Sequence, residues 1–310
     1  MFAINVTLCF VLGCDRKAIN CHAIPRASIL EALAENRFVY TLNQSFSAVF
    51  RHATPAHPLE IVKTGVNQAG VFKGLCSLHD CMAFSPIERS ERGREFEILK
   101  PLHFRALLLE HSRKRKCLDF FTKLIEYLEK YGLENPFHEA LCTYKLAVDL
   151  LESSLCGYLG EVPELGHGNT DYYLFVLSKN LHVSSCGIFN YNDNMDYASM
   201  IGYNLISYAD FSILSLTTFS NGHKILDSFI GLYDLPGGFE RLVNEIAFFK
   251  GEEPLISPKL WRSLDEDTKM KVRRSLVHPA WREIEAPPTV IKLGREDVMS
   301  EIPQEIWQAL

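Results

Sequence analysis

Cys76 and His79 stand two residues apart in Gly74-Leu75-Cys76-Ser77-Leu78-His79-Asp80, and Cys9 and Cys14 form a second spaced pair near the start of the chain. A thiolate and an imidazole at this separation can reach one metal from a tight backbone knuckle, and Zn2+ takes four such ligands in a tetrahedron. The two pairs together make a Cys3His set, the composition of a structural zinc site. One pair is expected from a hairpin knuckle and the other from the start of a helix. Cys21 and Cys81 are competing ligands. The two-residue gap favours His79 over Cys81 as the partner of Cys76.

A basic run, His-Ser-Arg-Lys-Arg-Lys at 111–116, is the next candidate. Arg113, Lys114, Arg115 and Lys116, with Arg105 nearby at helical spacing, could contact phosphates, each neutralised phosphate adding salt-dependent affinity. Other stretches offer less. Gly237-Gly238 marks a turn, because no Lys-Ser/Thr follows to make a phosphate loop. Ser184-Ser185-Cys186-Gly187 lacks the Gly-x-Ser-x-Gly elbow of a nucleophile and reads as a strand. The stretch 189–197, rich in Tyr, Asn and Asp, reads as a surface loop. Trp261, Trp281 and Trp307 read as packing residues.

These residues need elements to hold them. Pro25 precedes a helix predicted over Ser28–Glu35, and Asn36 ends it. Phe38–Leu42 and Gly70–Leu75 alternate in strand fashion. The segment 52–58, with two prolines, reads as a loop. From Pro101, a good first-turn residue, Leu102, Ala106 and Leu109 begin a helical period that Leu118, Phe121, Leu124, Ile125 and Leu128 continue. Gly132 and Asn135-Pro136 end it. A second helix over Pro136–Leu155 would complete an antiparallel hairpin. Beyond it, Tyr172–Leu177 and His182–Phe189 read as strands joined by a hairpin turn at Lys179-Asn180. Phe211–Phe219 reads as a buried strand. Helices are predicted over Gly222–Leu232 and Phe239–Phe249 and from Pro258 to Leu264. The fold class is therefore α+β, in three regions: a small zinc-bound module at 1–95, a helical hairpin at 96–165 and a mixed domain at 166–310.

Composition limits the classes. The chain has 310 residues, 47% hydrophobic and 23% charged, enough to bury a core without staples. The net charge of -6 excludes a global basic footprint for nucleic acid but not a local one. Nine cysteines, an odd number, with Cys9, Cys14, Cys21, Cys76 and Cys81 crowding the first part and Cys117, Cys142, Cys156 and Cys186 scattered later, argue against a disulfide framework and for a reducing cytoplasm. Met1–Leu12 lack a basic flank and a small-residue cleavage site, and read as a strand leading into the knuckle. The longest apolar runs are too short for a membrane span.

The run Cys14-Asp15-Arg16-Lys17-Ala18-Ile19-Asn20-Cys21-His22-Ala23-Ile24-Pro25 resembles the start of an HNH-type, ββα-metal nuclease module, in which a zinc knuckle precedes a histidine in a His-x-Ile-Pro context. Cys76-Ser77-Leu78-His79-Asp80 would be the later element that opens the helix, with Asp80 where that family has Asn. The chain also resembles uncharacterised bacterial proteins that carry a Cys-x-x-His-Asp element and a Pro-x-x-Trp segment, here Pro258-Lys259-Leu260-Trp261. The nuclease resemblance implies that His22 is the general base that deprotonates the attacking water. Asp80 and Glu88 would hold a catalytic Mg2+ or Mn2+, and Cys9, Cys14, Cys76 and His79 a structural Zn2+. It further implies DNA or RNA as partner and a role in defence against foreign DNA. A non-catalytic zinc scaffold that binds a protein or small ligand is the alternative.

Overall fold

The computed structural model describes residues 8–11, 13–43, 60–88, 95–158, 171–191, 200–218, 223–250, 253–276 and 288–299. Two sheets organise them. A two-stranded ribbon pairs β1 (Asn20–His22) with β4 (Val71–Lys73), antiparallel, with Cys21 opposite Phe72 and His22 opposite Val71. A seven-stranded sheet runs β3-β2-β9-β6-β7-β8-β5. Its strands are β2 (Phe38–Leu42), β3 (Ile61–Gly65), β5 (Asp171–Leu177), β6 (Val183–Asn190), β7 (Met200–Ser207), β8 (Ser212–Thr218) and β9 (Leu255–Ile256). The sequence between the two ribbon strands thus supplies one edge of the large sheet, and β2 reaches the strands of the C-terminal region through β9.

Helices cover both faces of the large sheet, so its central strands are buried on both sides. Every residue of β7 and β8 is buried, the pattern of strands sandwiched between helical layers. One face carries α1 (Ser77–Glu88), α2 (Glu95–Lys130) and α3 (His138–Tyr158) together with the ribbon. Leu102, Leu107, Leu151 and Leu155 pack there with Val176, Cys186, Ile206 and Ile213. The other face carries α4 (His223–Gly231), α5 (Gly238–Glu245), α6 (Pro258–Ser263) and α7 (Glu266–Ser275). Leu226, Phe229, Leu242, Trp261 and Val272 pack there with Leu177, Ile201, Leu205, Leu214 and Leu216. The alternation of Ile201, Leu205 with Gly202, Ile206 along β7 is the period-2 signature of a strand feeding two cores.

α2 is the longest element and the one that positions the rest. Its 36 residues run through Pro101, which sits inside the helix and not in its first turn. Proline lacks the N–H that would bond the carbonyl four residues back, and its ring crowds that carbonyl, so the helix continues through Pro101 at a cost. On the sheet, the His103 ring lies over Gly202, and the Thr217 hydroxyl meets His103 Nδ1 at 2.5 Å. Among the described residues, no helix is long and apolar enough to cross a membrane.

Several sequence expectations change here. β5 does not form a hairpin with β6: β5 pairs with β8 at the sheet edge, while β6 pairs with β7 and β9. Residues 178–182 instead cross the sheet end, held where the Ser212 hydroxyl accepts from Leu181 N–H at 3.0 Å and Asn180 donates to the Ala209 carbonyl. β3, β7 and α7 had no place in the sequence reading. The expected helix over Ser28–Glu35 is a wide turn, Arg26–Leu30, followed by one helical turn, Glu31–Leu33. α6 follows expectation: Pro258 opens it and the Ser257 hydroxyl caps it, accepting from Leu260 N–H at 3.1 Å. Trp261 is buried, whereas Trp281, Trp307, the 52–58 loop and most of Met1–Leu12 and 189–197 lie outside the described residues.

Candidate metal centre

The knuckle is built from backbone. Cys9 N–H donates to the Arg16 carbonyl and Cys14 N–H to the Val11 carbonyl, and Gly13 supplies the left-handed residue (φ 74°) that closes the turn. Phe10 N–H donates to Gly74 and Ile19 N–H to Leu75, which brings the knuckle beside the start of α1. Cys76 immediately precedes α1, so Cys76 and His79 share its first turn.

These contacts converge. One donor atom from each of Cys9, Cys14, Cys76 and His79 lies within 4.8 Å of all the others. Cys9 Sγ is 3.2 Å and Cys76 Sγ 3.5 Å from His79 Nδ1, and Cys14 Sγ is 3.9 Å from Cys76 Sγ. A tetrahedral zinc with bonds of about 2.3 Å to sulfur and about 2.0–2.1 Å to nitrogen has S–S edges near ~3.8 Å and S–N edges near ~3.5 Å. The Cys9–His79, Cys76–His79 and Cys14–Cys76 edges lie within about 0.3 Å of those values, so this Cys3His group can hold a metal ion and suits zinc. Cys9 and Cys76 are buried. Backbone N–H groups are aimed at the thiolates: that of His79 foremost lowers the Cys76 pKa. Burial raises that of Cys9, against N–H donation from Cys76 and Val11. Such outer-shell donors orient the ligands and spread thiolate charge. The competing thiols stay apart from this group: Cys81 is exposed, and Cys21 faces another neighbour.

That neighbour is Asp80. Burial first, and the Asp80 carboxylate second, push the Cys21 thiol up to about 12. The Arg105 guanidinium sits 4.0 Å over the Phe84 ring and partly offsets the rise. Cys21 therefore occupies the α1-facing side of the ribbon. His22, the next residue along β1, falls on the opposite face by strand alternation, where its Nδ1–H donates to the Ala69 carbonyl at 3.3 Å. Asp80 lies beside Cys21, the residue before His22 on β1. Glu88 ends α1, and its side chain lies outside the described residues.

The basic run is largely spoken for. Arg105 is 2% exposed, too deep to reach a phosphate. Arg113 donates to Glu253 at 2.8 Å and pairs with Glu110, and Lys114 pairs with Glu110 at 2.8 Å. Arg115 pairs with Asp119 and Glu152 and is half exposed; Lys116 is exposed. The i,i+3 and i,i+4 spacing of Glu110 to Arg113 and Lys114 was the available signal for this neutralisation. The pairing with Glu253, 140 residues away, had none.

Neither family models, nor curated proteins, nor solved structures give a match to this chain.

Proposed function

We propose that this protein is a non-catalytic, zinc-stabilised scaffold whose activity is binding. Zn2+ held by Cys9, Cys14, Cys76 and His79 would clamp the knuckle and ribbon to α1. The observation that carries this reading is the mutual approach of all four donor atoms within 4.8 Å. Four protein ligands fill a tetrahedron and leave no position for water or substrate, the arrangement of structural and not catalytic zinc. Purified protein is expected to carry about one zinc per chain, and Cys76→Ser to lose it. A full-length, folded protein that takes up no zinc would overturn the reading.

A second reading, an HNH-like nuclease acting on DNA or RNA in defence, draws on one specific observation. Knuckle, β1, β4 and α1 follow in ββα order, with His22 on the first strand and Asp80 in the first turn of the helix. In that reading His22 is the base, and Asp80 with Glu88 hold Mg2+ or Mn2+. Strand alternation, which turns His22 and Cys21 (the neighbour of Asp80) to opposite faces of the ribbon, favours the scaffold over it. Plasmid nicking with Mg2+ or Mn2+ that is abolished by His22→Ala would restore it; nicking that survives the substitution, or none at all, would remove it.

A further inference from the structure

Asn36 and Arg37 form the two-residue turn that leads into β2. Glu35 N–H donates to the Phe38 carbonyl at 3.1 Å and Phe38 N–H to the Glu35 carbonyl at 3.0 Å, which closes the turn. Both central residues have positive φ, 51° at Asn36 and 65° at Arg37. Such a turn favours Asn in the first place and Gly in the second, because a Cβ there crowds the backbone. A long side chain in the second place is an outlier that costs stability. Of the three described non-glycine residues with positive φ, two are these neighbours.

The Arg37 side chain lines an open cleft of about 370 Å³ together with Glu31, Ala34 and Val66. That volume is at the small end of ligand sites. Its walls are tied to the fold: Val66 N–H donates to the Arg37 carbonyl at 3.0 Å, and Glu35 bonds Arg262 of α6. Val66 is buried and Ala34 half-buried, whereas Glu31 and Arg37 are exposed. Among the described residues Arg37 makes no ion pair, and the ion pair of Glu31 is with Arg26 at 3.8 Å. The cleft therefore carries a cation and an anion that do not neutralise each other.

We propose that this cleft binds a free aliphatic amino acid, its α-carboxylate on Arg37, its α-ammonium on Glu31 and its side chain against Ala34 and Val66. This names a ligand class for the binding scaffold argued above and rests on that reading. A guanidinium takes a carboxylate through two parallel N–H groups, and an ionised Glu offers only acceptors, which suits an ammonium. A simple anion would face Glu31 and a simple amine would face Arg37, each against a like charge. A zwitterion satisfies both. The site also gives a reason for arginine where glycine would be more stable: strain of this kind is retained where the side chain serves binding.

The test is isothermal titration calorimetry of the purified full chain with valine and leucine, and with isocaproate and isoamylamine, which lack the amine and the carboxylate of leucine. The amino acids are expected to bind, and each half-charged analogue to bind about tenfold more weakly or worse. Arg37→Gly should weaken amino-acid binding by a similar factor while its thermal midpoint rises above that of the wild type, a gain that mere damage to the fold would not give. Glu31→Gln should weaken leucine and narrow its advantage over isocaproate. Zinc content should be unchanged in both variants. Failure of the scaffold reading would show as missing zinc, and failure of this site as zinc-bound protein that ignores the ligands. Absence of binding by valine and leucine, binding that Arg37→Gly retains, or an analogue that binds as tightly as leucine would each overturn the proposal.

Discussion

Cys9 Sγ lies 3.2 Å from His79 Nδ1 although 70 residues separate them in the chain. The contact joins a knuckle to the first turn of α1 and closes the ribbon between them. Because metal bound to the folded chain alone stabilises it by mass action, a metal at a thousandfold over its dissociation constant contributes about 4 kcal/mol. Cys76→Ser and His79→Ala should each lower the unfolding free energy read from urea denaturation by a comparable amount, and chelator should do the same to the wild type. The exposed Cys81, replaced by Ser, should change neither metal content nor midpoint.

At Gly202 the His103 ring of α2 packs tightly on the sheet. A Cβ there would meet the His103 ring at 2.6 Å and Thr217 Oγ1 at 2.7 Å. Gly202→Ala should therefore destabilise by about 1–3 kcal/mol, the range for overpacking a filled core. Gly231, with nothing within 4 Å of the added carbon, should accept Ala within about 0.5 kcal/mol. Urea denaturation of the two variants checks both.

His103 predicts a pH dependence. Burial lowers its pKa to about 4, from 6.5 when unfolded. The unfolded chain therefore binds more protons between these values. Stability from this group is full above about pH 6.5 and falls as pH drops toward 4, by up to ~3 kcal/mol. Denaturation midpoints at pH 7.5, 6 and 5 should decline in that order, and His103→Asn should flatten the decline. A midpoint independent of pH in both proteins would contradict this placement.

Arg105 and Arg115 should behave differently despite their shared chemistry. Arg105→Ala removes a buried guanidinium from over Phe84 and should cost about 3 kcal/mol or more. Arg115→Ala, half exposed, should stay within about 0.5 kcal/mol. Thermal midpoints of the two variants measure the contrast.

The sequence displayed these features unevenly. Cys76 and His79 were legible because metal geometry imposes a short local spacing, and Cys9 with Cys14 because a knuckle does the same. α2 and α3 were legible from a period sustained over many turns. β7 was not: Met200–Ser207 is buried on both faces, so its apolar run carries no alternation of polarity. The pairing of β5 with β8 was hidden because the five-residue link to β6 looks like a hairpin turn. The burial of Arg105 was hidden because Phe84, which receives it, comes from a different helix. The approach of Asp80 to Cys21 depends on which face of β1 meets α1, and the burial of Cys21 decides that only in three dimensions.

The central claim is that Cys9, Cys14, Cys76 and His79 form one closed zinc site. Zinc K-edge X-ray absorption on the purified full chain tests it most directly. The account predicts a four-coordinate shell of three sulfurs at about 2.3 Å and one nitrogen at about 2.0–2.1 Å. A shell dominated by oxygen or nitrogen, an open coordination position filled by water, or protein that carries no zinc would contradict it.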